Sequence, residues 1–77
     1  MKTFDEQPIE RYWQGPVKSV DDLGHPITTV FIDGATTFGP WAIMNPDTHK
    51  QYGRGLGVGR GQKYEKQSDG YWLKVEG

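Results

Sequence analysis

The sequence predicts an α+β, mostly β fold: a β-hairpin and a short helix, extended by additional terminal strands. Three observations carry this. Residues 27–32 (ITTVFI) are β-branched or aromatic throughout, the composition that suits a pleated, half-buried surface. Asn45-Pro46-Asp47 reads as a helix start, because Asn is a leading N-cap, Pro suits the first helical position and an acid complements the helix dipole. Residues 62–66 (QKYEK) and 71–75 (YWLKV) flank Gln67-Ser68-Asp69-Gly70, a turn-prone tetrad, and read as a final hairpin.

Seventy-seven residues make one domain, 1–77. A chain of this length buries only about 60% of its unfolded surface, and small domains commonly add a disulfide, a metal or a partner. There is no Cys, which excludes disulfides, a thiol nucleophile and a thiolate zinc site. The hydrophobic share is 34% while aromatics reach 13%, so aromatic rings must supply much of the core. Trp13, Trp41 and Trp72 are expected there, with one of them, or Tyr12 or Tyr71, left exposed as an interface anchor. No apolar run approaches a membrane-spanning length, and MKTFDEQP lacks the apolar stretch of a signal peptide. With the missing Cys, this sets the expectation of a cytoplasmic protein without a membrane partner.

Taken in order, residues 1–8 read as a loose N-terminal arm ending in Pro8. Residues 9–13 read as a short strand that Gly15-Pro16 breaks. Residues 17–20 extend a little before a turn at Asp21-Asp22-Leu23-Gly24. The strand over 27–32 runs into Asp33-Gly34, the dipeptide that most strongly signals a two-residue hairpin. The return strand covers 35–38, is interrupted at Gly39-Pro40, and resumes over 41–44. The helix spans 46–52 and stops at Gly53, with Lys50 near its C-terminus. Two turns do not stand alone in water, so it packs on the hairpin. Gly53, Gly55, Gly57, Gly59 and Gly61 then alternate with larger residues; an extended chain would place all five on one face free of side chains. That face could receive another backbone or a flat ring, either Trp41 or Trp72 of the chain itself or an external contact.

Charge is unevenly spread. Residues 1–48 carry three cations against seven anions, whereas residues 49–66 carry five cations against one anion. The two parts could match internally or present a basic face on an acidic body. Tyr52, Arg54, Arg60, Lys63, Tyr64 and Lys66 interleave cations with aromatics, the pattern that neutralises phosphates while rings stack on bases; these are the candidate binding residues. A solvated charged hairpin explains the same pattern, and a net charge of −1 weighs against nucleic acid. The glycines do not form a phosphate loop, since neither GxxxxGK[ST] nor a strand-following GxGxxG occurs. His25 and His49 with Asp22 and Asp47 are the one conceivable oxygen–nitrogen metal set; a turn His and a helix-surface His explain them better. Asp21-Asp22 has no base partner, and Ser19 and Ser68 have no His–Asp arrangement. No catalytic residue, cofactor, metal or small-molecule substrate is therefore expected.

The run Phe31-Ile-Asp-Gly-Ala-Thr-Thr-Phe-Gly-Pro-Trp-Ala-Ile-Met44, with His49, Tyr52-Gly53 and Gly55-Leu-Gly-Val-Gly-Arg-Gly-Gln-Lys-Tyr64, resembles a group of small zinc-ribbon or treble-clef-like proteins of phages and bacterial accessory genomes. The resemblance covers about residues 20–66. It implies a treble-clef hairpin and helix held by two Cys-x-x-Cys knuckles. The four ligands would fall on Val20, Leu23, Asn45 and Thr48, none of which replaces a thiolate, so the resemblance implies a member that has lost its zinc. Val20 and Leu23 would fill the vacated site with apolar atoms, Asn45 would cap the helix, and the aromatic pairs Tyr12-Trp13 and Tyr71-Trp72 would offset the lost folding energy. The functional expectation is a non-enzymatic accessory protein, of phage origin, that binds a protein partner or a second copy of itself. The alternative is a nucleic-acid-binding module using the basic, glycine-rich segment 50–66.

Overall fold

A computed structural model describes residues 12–77. Four strands form one antiparallel sheet: β1 (Val30–Ala35), β2 (Trp41–Met44), β3 (Gly61–Lys66) and β4 (Trp72–Glu76), in the spatial order β2-β1-β3-β4. One helix, α1 (Pro46–Tyr52), follows β2 and packs on β1 and β2. The α+β, mostly β class is as the sequence predicts.

The pleat divides the core in two. Ile32 pairs with Met44 and Gly34 with Ala42, and these residues are buried on the face that α1 covers, with Thr48 the helix's own buried residue. Phe31 pairs with Tyr64 on the opposite face. There Phe31, fully buried, stacks on Tyr64 with centroids 5.1 Å apart, and Trp13 meets both rings edge-on at 5.2 and 5.4 Å. Trp72 completes the cluster at 5.1 Å from Phe31. The aromatics do supply this half of the core. Trp41 does not: it is 48% exposed, and its indole N–H donates to Asp33 at 2.6 Å.

Asp33-Gly34 is not the hairpin turn. β1 runs straight through it, and the chain reverses over Thr36–Pro40 instead. There Gly39 N–H donates to Thr36 C=O, the Thr36 hydroxyl donates to Pro40 C=O at 2.6 Å, and Gly39 takes a φ of +118°. Gly34 is needed for space: a Cβ would lie 2.7 Å from the Arg60 carbonyl and 3.1 Å from Gly61 Cα across the ladder. The predicted return strand over 35–38 is therefore largely turn. The first strand also begins at Val30 rather than Ile27, because Ile27 N–H is drawn to Ser19 C=O at 2.8 Å and residues 28–29 bend.

The helix and the last hairpin form where expected. Asn45 Oδ1 accepts from Thr48 N at 2.7 Å, Pro46 opens α1 and Asp47 sits in its first turn. Gly70, at φ +90°, closes the 67–70 turn between β3 and β4. The glycine run 53–61 does not extend as one strip. Gly55, Gly57 and Gly59 take φ of +86°, +124° and +78°, and a tight turn over 57–60 returns the chain to β3, so the five glycines share no common face.

The chain before β1 lies against the same sheet. Tyr12 pairs with Leu73, and Trp13 N–H donates to Trp72 C=O at 3.0 Å, so the predicted early strand reaches β4 at its end; residues 9–11, like the arm over 1–8, lie outside the described residues. The turn at 21–24 forms as predicted. Asp22 exchanges two hydrogen bonds with Ile43, at 2.9 and 2.8 Å, and so covers the outer edge of β2. Among the described residues no helix is long and apolar enough to cross a membrane.

Candidate binding surface

Three connections meet at one end of the sheet. The β1–β2 turn, the C-terminus of α1 and the glycine-rich loop are tied together by Thr37 N–H donating to Tyr52 C=O at 2.7 Å and Ala35 N–H donating to Arg60 C=O at 2.8 Å. His49 Nε2 fixes the loop's start against Gly55 C=O at 3.0 Å. On this frame stand Phe38 and Tyr52, both exposed, their rings edge-to-face at 5.9 Å. Val58 is 95% exposed at the loop's tip, between two glycines with positive φ. Arg54 and Arg60 line an open depression of about 700 Å³ with Thr37, Gly53, Val58 and Gly59. Among the described residues, no carboxylate lies within the 4.0 Å ion-pair distance of either guanidinium.

Of the six predicted binding residues, Tyr52, Arg54 and Arg60 converge here. The other three do not. Lys63 pairs with Ile32 on the helix-bearing face of the sheet. Tyr64 faces the other way, into the aromatic cluster, where burial and then the charge of Asp33 raise its hydroxyl's pKa. Lys66 leans over Trp72, 5.9 Å from the ring centroid. A single basic–aromatic patch over 50–66 is thus not what the fold assembles. Phe38 and Val58 were missed by sequence reasoning. An apolar side chain between two glycines in a polar loop was the available signal for Val58; nothing marked Phe38 as exposed.

The turn that carries Val20 and Leu23 lies against Asn45 and Thr48, but the contacts run through Asp21, His25 and Pro26 rather than through Val20 and Leu23, the first two positions implied as lost zinc ligands. Val20 is 45% exposed and fills nothing. The space between the two turns holds the Asp21 carboxylate, 4% exposed. It accepts from Leu23 N at 3.0 Å, His25 N at 2.8 Å and Asn45 N at 2.9 Å. His25 Nδ1 lies 2.6 Å from the Thr48 hydroxyl. Burial alone would raise the pKa of Asp21, but the hydrogen bonds it accepts, those from Asn45 and His25 first, outweigh it and hold the carboxyl below its ordinary range. His25, His49, Asp22 and Asp47 do not gather: His25 serves this network while His49 holds the loop. Among the described residues no three His, Asp or Glu side chains stand close enough to hold a metal.

Compared with known proteins, the chain matches no family model, no curated protein and no solved structure.

Proposed function

We propose that this chain is a small, non-enzymatic accessory protein that works by docking its glycine-loop end against a protein partner. The observation that carries this is Val58, 95% exposed at a glycine-framed tip, beside the exposed rings of Phe38 and Tyr52 and the guanidinium groups of Arg54 and Arg60. Aromatic and Arg side chains dominate interface energetics, and an apolar tip in water has nothing to bury against except another surface. The finer reading of the fold, a metal-free treble clef of phage type working in the cytoplasm, belongs to the same proposal. Its treble-clef part is supported by the side-by-side seating of the 20–26 turn and the start of α1, with the Asp21 carboxylate between them.

A second reading is nucleic-acid binding through Arg54 and Arg60, which share one depression and have aromatic neighbours. The separation of Lys63 and Lys66 from that depression, and the net charge of −1, favour the protein partner. The experiment compares the full chain with Val58→Asp and with the Arg54→Ala/Arg60→Ala double variant. A protein partner retained at about 0.5 M salt and lost with Val58→Asp supports the first reading, since salt screens exposed charge and leaves apolar burial intact. Oligonucleotide binding that falls steeply with salt, with a slope about 2 units shallower in the double variant, supports the second. Neither outcome, in cells expressing the chain from its own genomic setting, removes this surface as a binding site.

A further inference from the structure

A surface away from the glycine-loop end holds an open aromatic groove. The segment Tyr12–Val17 turns at Gly15 (φ +103°) and Pro16, and passes the chain where the 67–70 turn enters β4. Between them lies a groove of about 740 Å³, its walls formed chiefly by Tyr12, Trp13, Pro16, Tyr71 and Trp72. Its floor is rigid. Trp13 and Trp72 both pack on buried Phe31, and Trp13 N–H is bonded to Trp72 C=O. Its rim is open, with Tyr71 64% exposed.

We infer that this groove receives a proline-rich segment in the polyproline II conformation with a basic residue at one end. Ring geometry gives the first part. Tyr12 and Tyr71 stand at 74° with centroids 6.1 Å apart, so the walls present ring faces next to ring edges. Packed against each other in this way, they form a ridged aromatic wall that compact pyrrolidine rings can lie along, rather than the flat platform on which a sugar or base would lie. Polyproline II is preformed and has little order left to lose, so a shallow aromatic groove is enough to hold it. Charge gives the second part. Among the described residues the lining holds one acid, Asp69, and no Lys or Arg, with Lys66 standing over the Trp72 ring at 5.9 Å from its centroid. Tyr71 N–H occupies Asp69 Oδ1 at 3.0 Å, which fixes the carboxylate at the rim with its other oxygen open to a cation.

The test is a titration of the full chain, followed by tryptophan emission, with a hexaproline peptide carrying one Arg at either terminus. Saturable change below about 1 mM is expected, because Trp13 and Trp72 line the site. Tyr71→Ala should weaken binding about tenfold without lowering the thermal midpoint, since this ring is mostly in water. Asp69→Asn keeps the turn, because Asn also accepts from Tyr71 N–H, and should abolish the preference for the Arg-tagged over the untagged peptide. Four results overturn the inference. They are no saturable change at millimolar peptide, equal binding of an Arg-tagged Gly/Ser peptide, saturation by a linear oligosaccharide instead, and binding that appears only when Phe4, Pro8 and Ile9 are replaced by Ala. The last would make the chain's own N-terminal segment the occupant.

Discussion

Gly53 leaves α1 in an extended conformation, with φ −79° and ψ 170°, which any residue adopts. Its glycine identity is set by space. A Cβ here would run into the His49 ring, meeting Cδ2 and lying 2.7 Å from Nε2, and would stand 2.6 Å from the His49 carbonyl. The ring cannot swing away freely, because its Nε2 is bonded to Gly55 C=O. Gly53→Ala should therefore lower stability by about 1–3 kcal/mol, the usual cost of overpacking, read as a lower urea midpoint at unchanged slope. Adding His49→Ala should return part of that loss, because it removes the movable half of the clash. A double variant no more stable than Gly53→Ala would show that the carbonyl contact alone decides the cost. Glycine at the helix end was legible from the sequence. Its reason was not, because the reason is a side chain four residues back held in place by a loop.

At the scale of elements, signals contained within a few residues translated into structure. Asn45-Pro46-Asp47 starts a helix because cap, fixed φ and dipole partner all sit in one turn. The 67–70 turn forms because Gly70 supplies the positive φ it needs. Asp33-Gly34 misled because the same dipeptide answers two demands. It suits a tight turn, and it also suits a strand whose neighbour comes too close for a Cβ, and only the pairing of Gly34 with Gly61 decides between them. The six candidate residues come together only in part, for a simpler reason. Lys63 and Tyr64 are consecutive in a strand and so face opposite ways, whatever their charge pattern suggests. Asn45 does more than cap, since its Nδ2 also donates to Pro26 C=O at 2.9 Å and ties the 20–26 turn to the helix. Asn45→Ala should cost about 1–2 kcal/mol in denaturant unfolding, at the upper end of the range for a cap. Asn45→Asp keeps an acceptor for Thr48 N but loses the Pro26 bond and sets a second carboxylate beside Asp21. It should therefore rescue little of the loss, whereas a variant as stable as the parent would confine the role of Asn45 to the cap.

For the molecule as a whole, the two perturbed carboxylates among the described residues act on acid stability with opposite signs. Asp21 joins the two turns that flank the helix-bearing core, and its pKa in the folded chain lies below the ordinary value. Its contribution is present in full above the unfolded-state pKa of about 4, and is lost as pH falls through the lower folded-state value. Asp33 is the reverse case. Burial, and then the nearby charge of Asp22, raise its pKa despite the Trp41 hydrogen bond. The folded chain holds its proton more tightly, so ionised Asp33 weakens the fold at neutral pH, and that penalty is relieved as pH drops through its raised pKa. Asp33→Asn keeps an acceptor for the Trp41 indole and removes the half-buried charge, so it should be at least as stable as the parent at pH 7. Asp21→Asn turns one acceptor into a donor among groups that already donate, and should cost about 2–3 kcal/mol at pH 7. The stability of that variant should also stop falling where the parent's is still falling, below about pH 4, because the titrating group is gone. The measurement is urea unfolding from pH 7 down to pH 2.5 for the three chains. Parallel acid limbs for the parent and Asp21→Asn would mean that the join between the turns does not depend on the Asp21 charge, and that another carboxylate controls how this fold yields to acid.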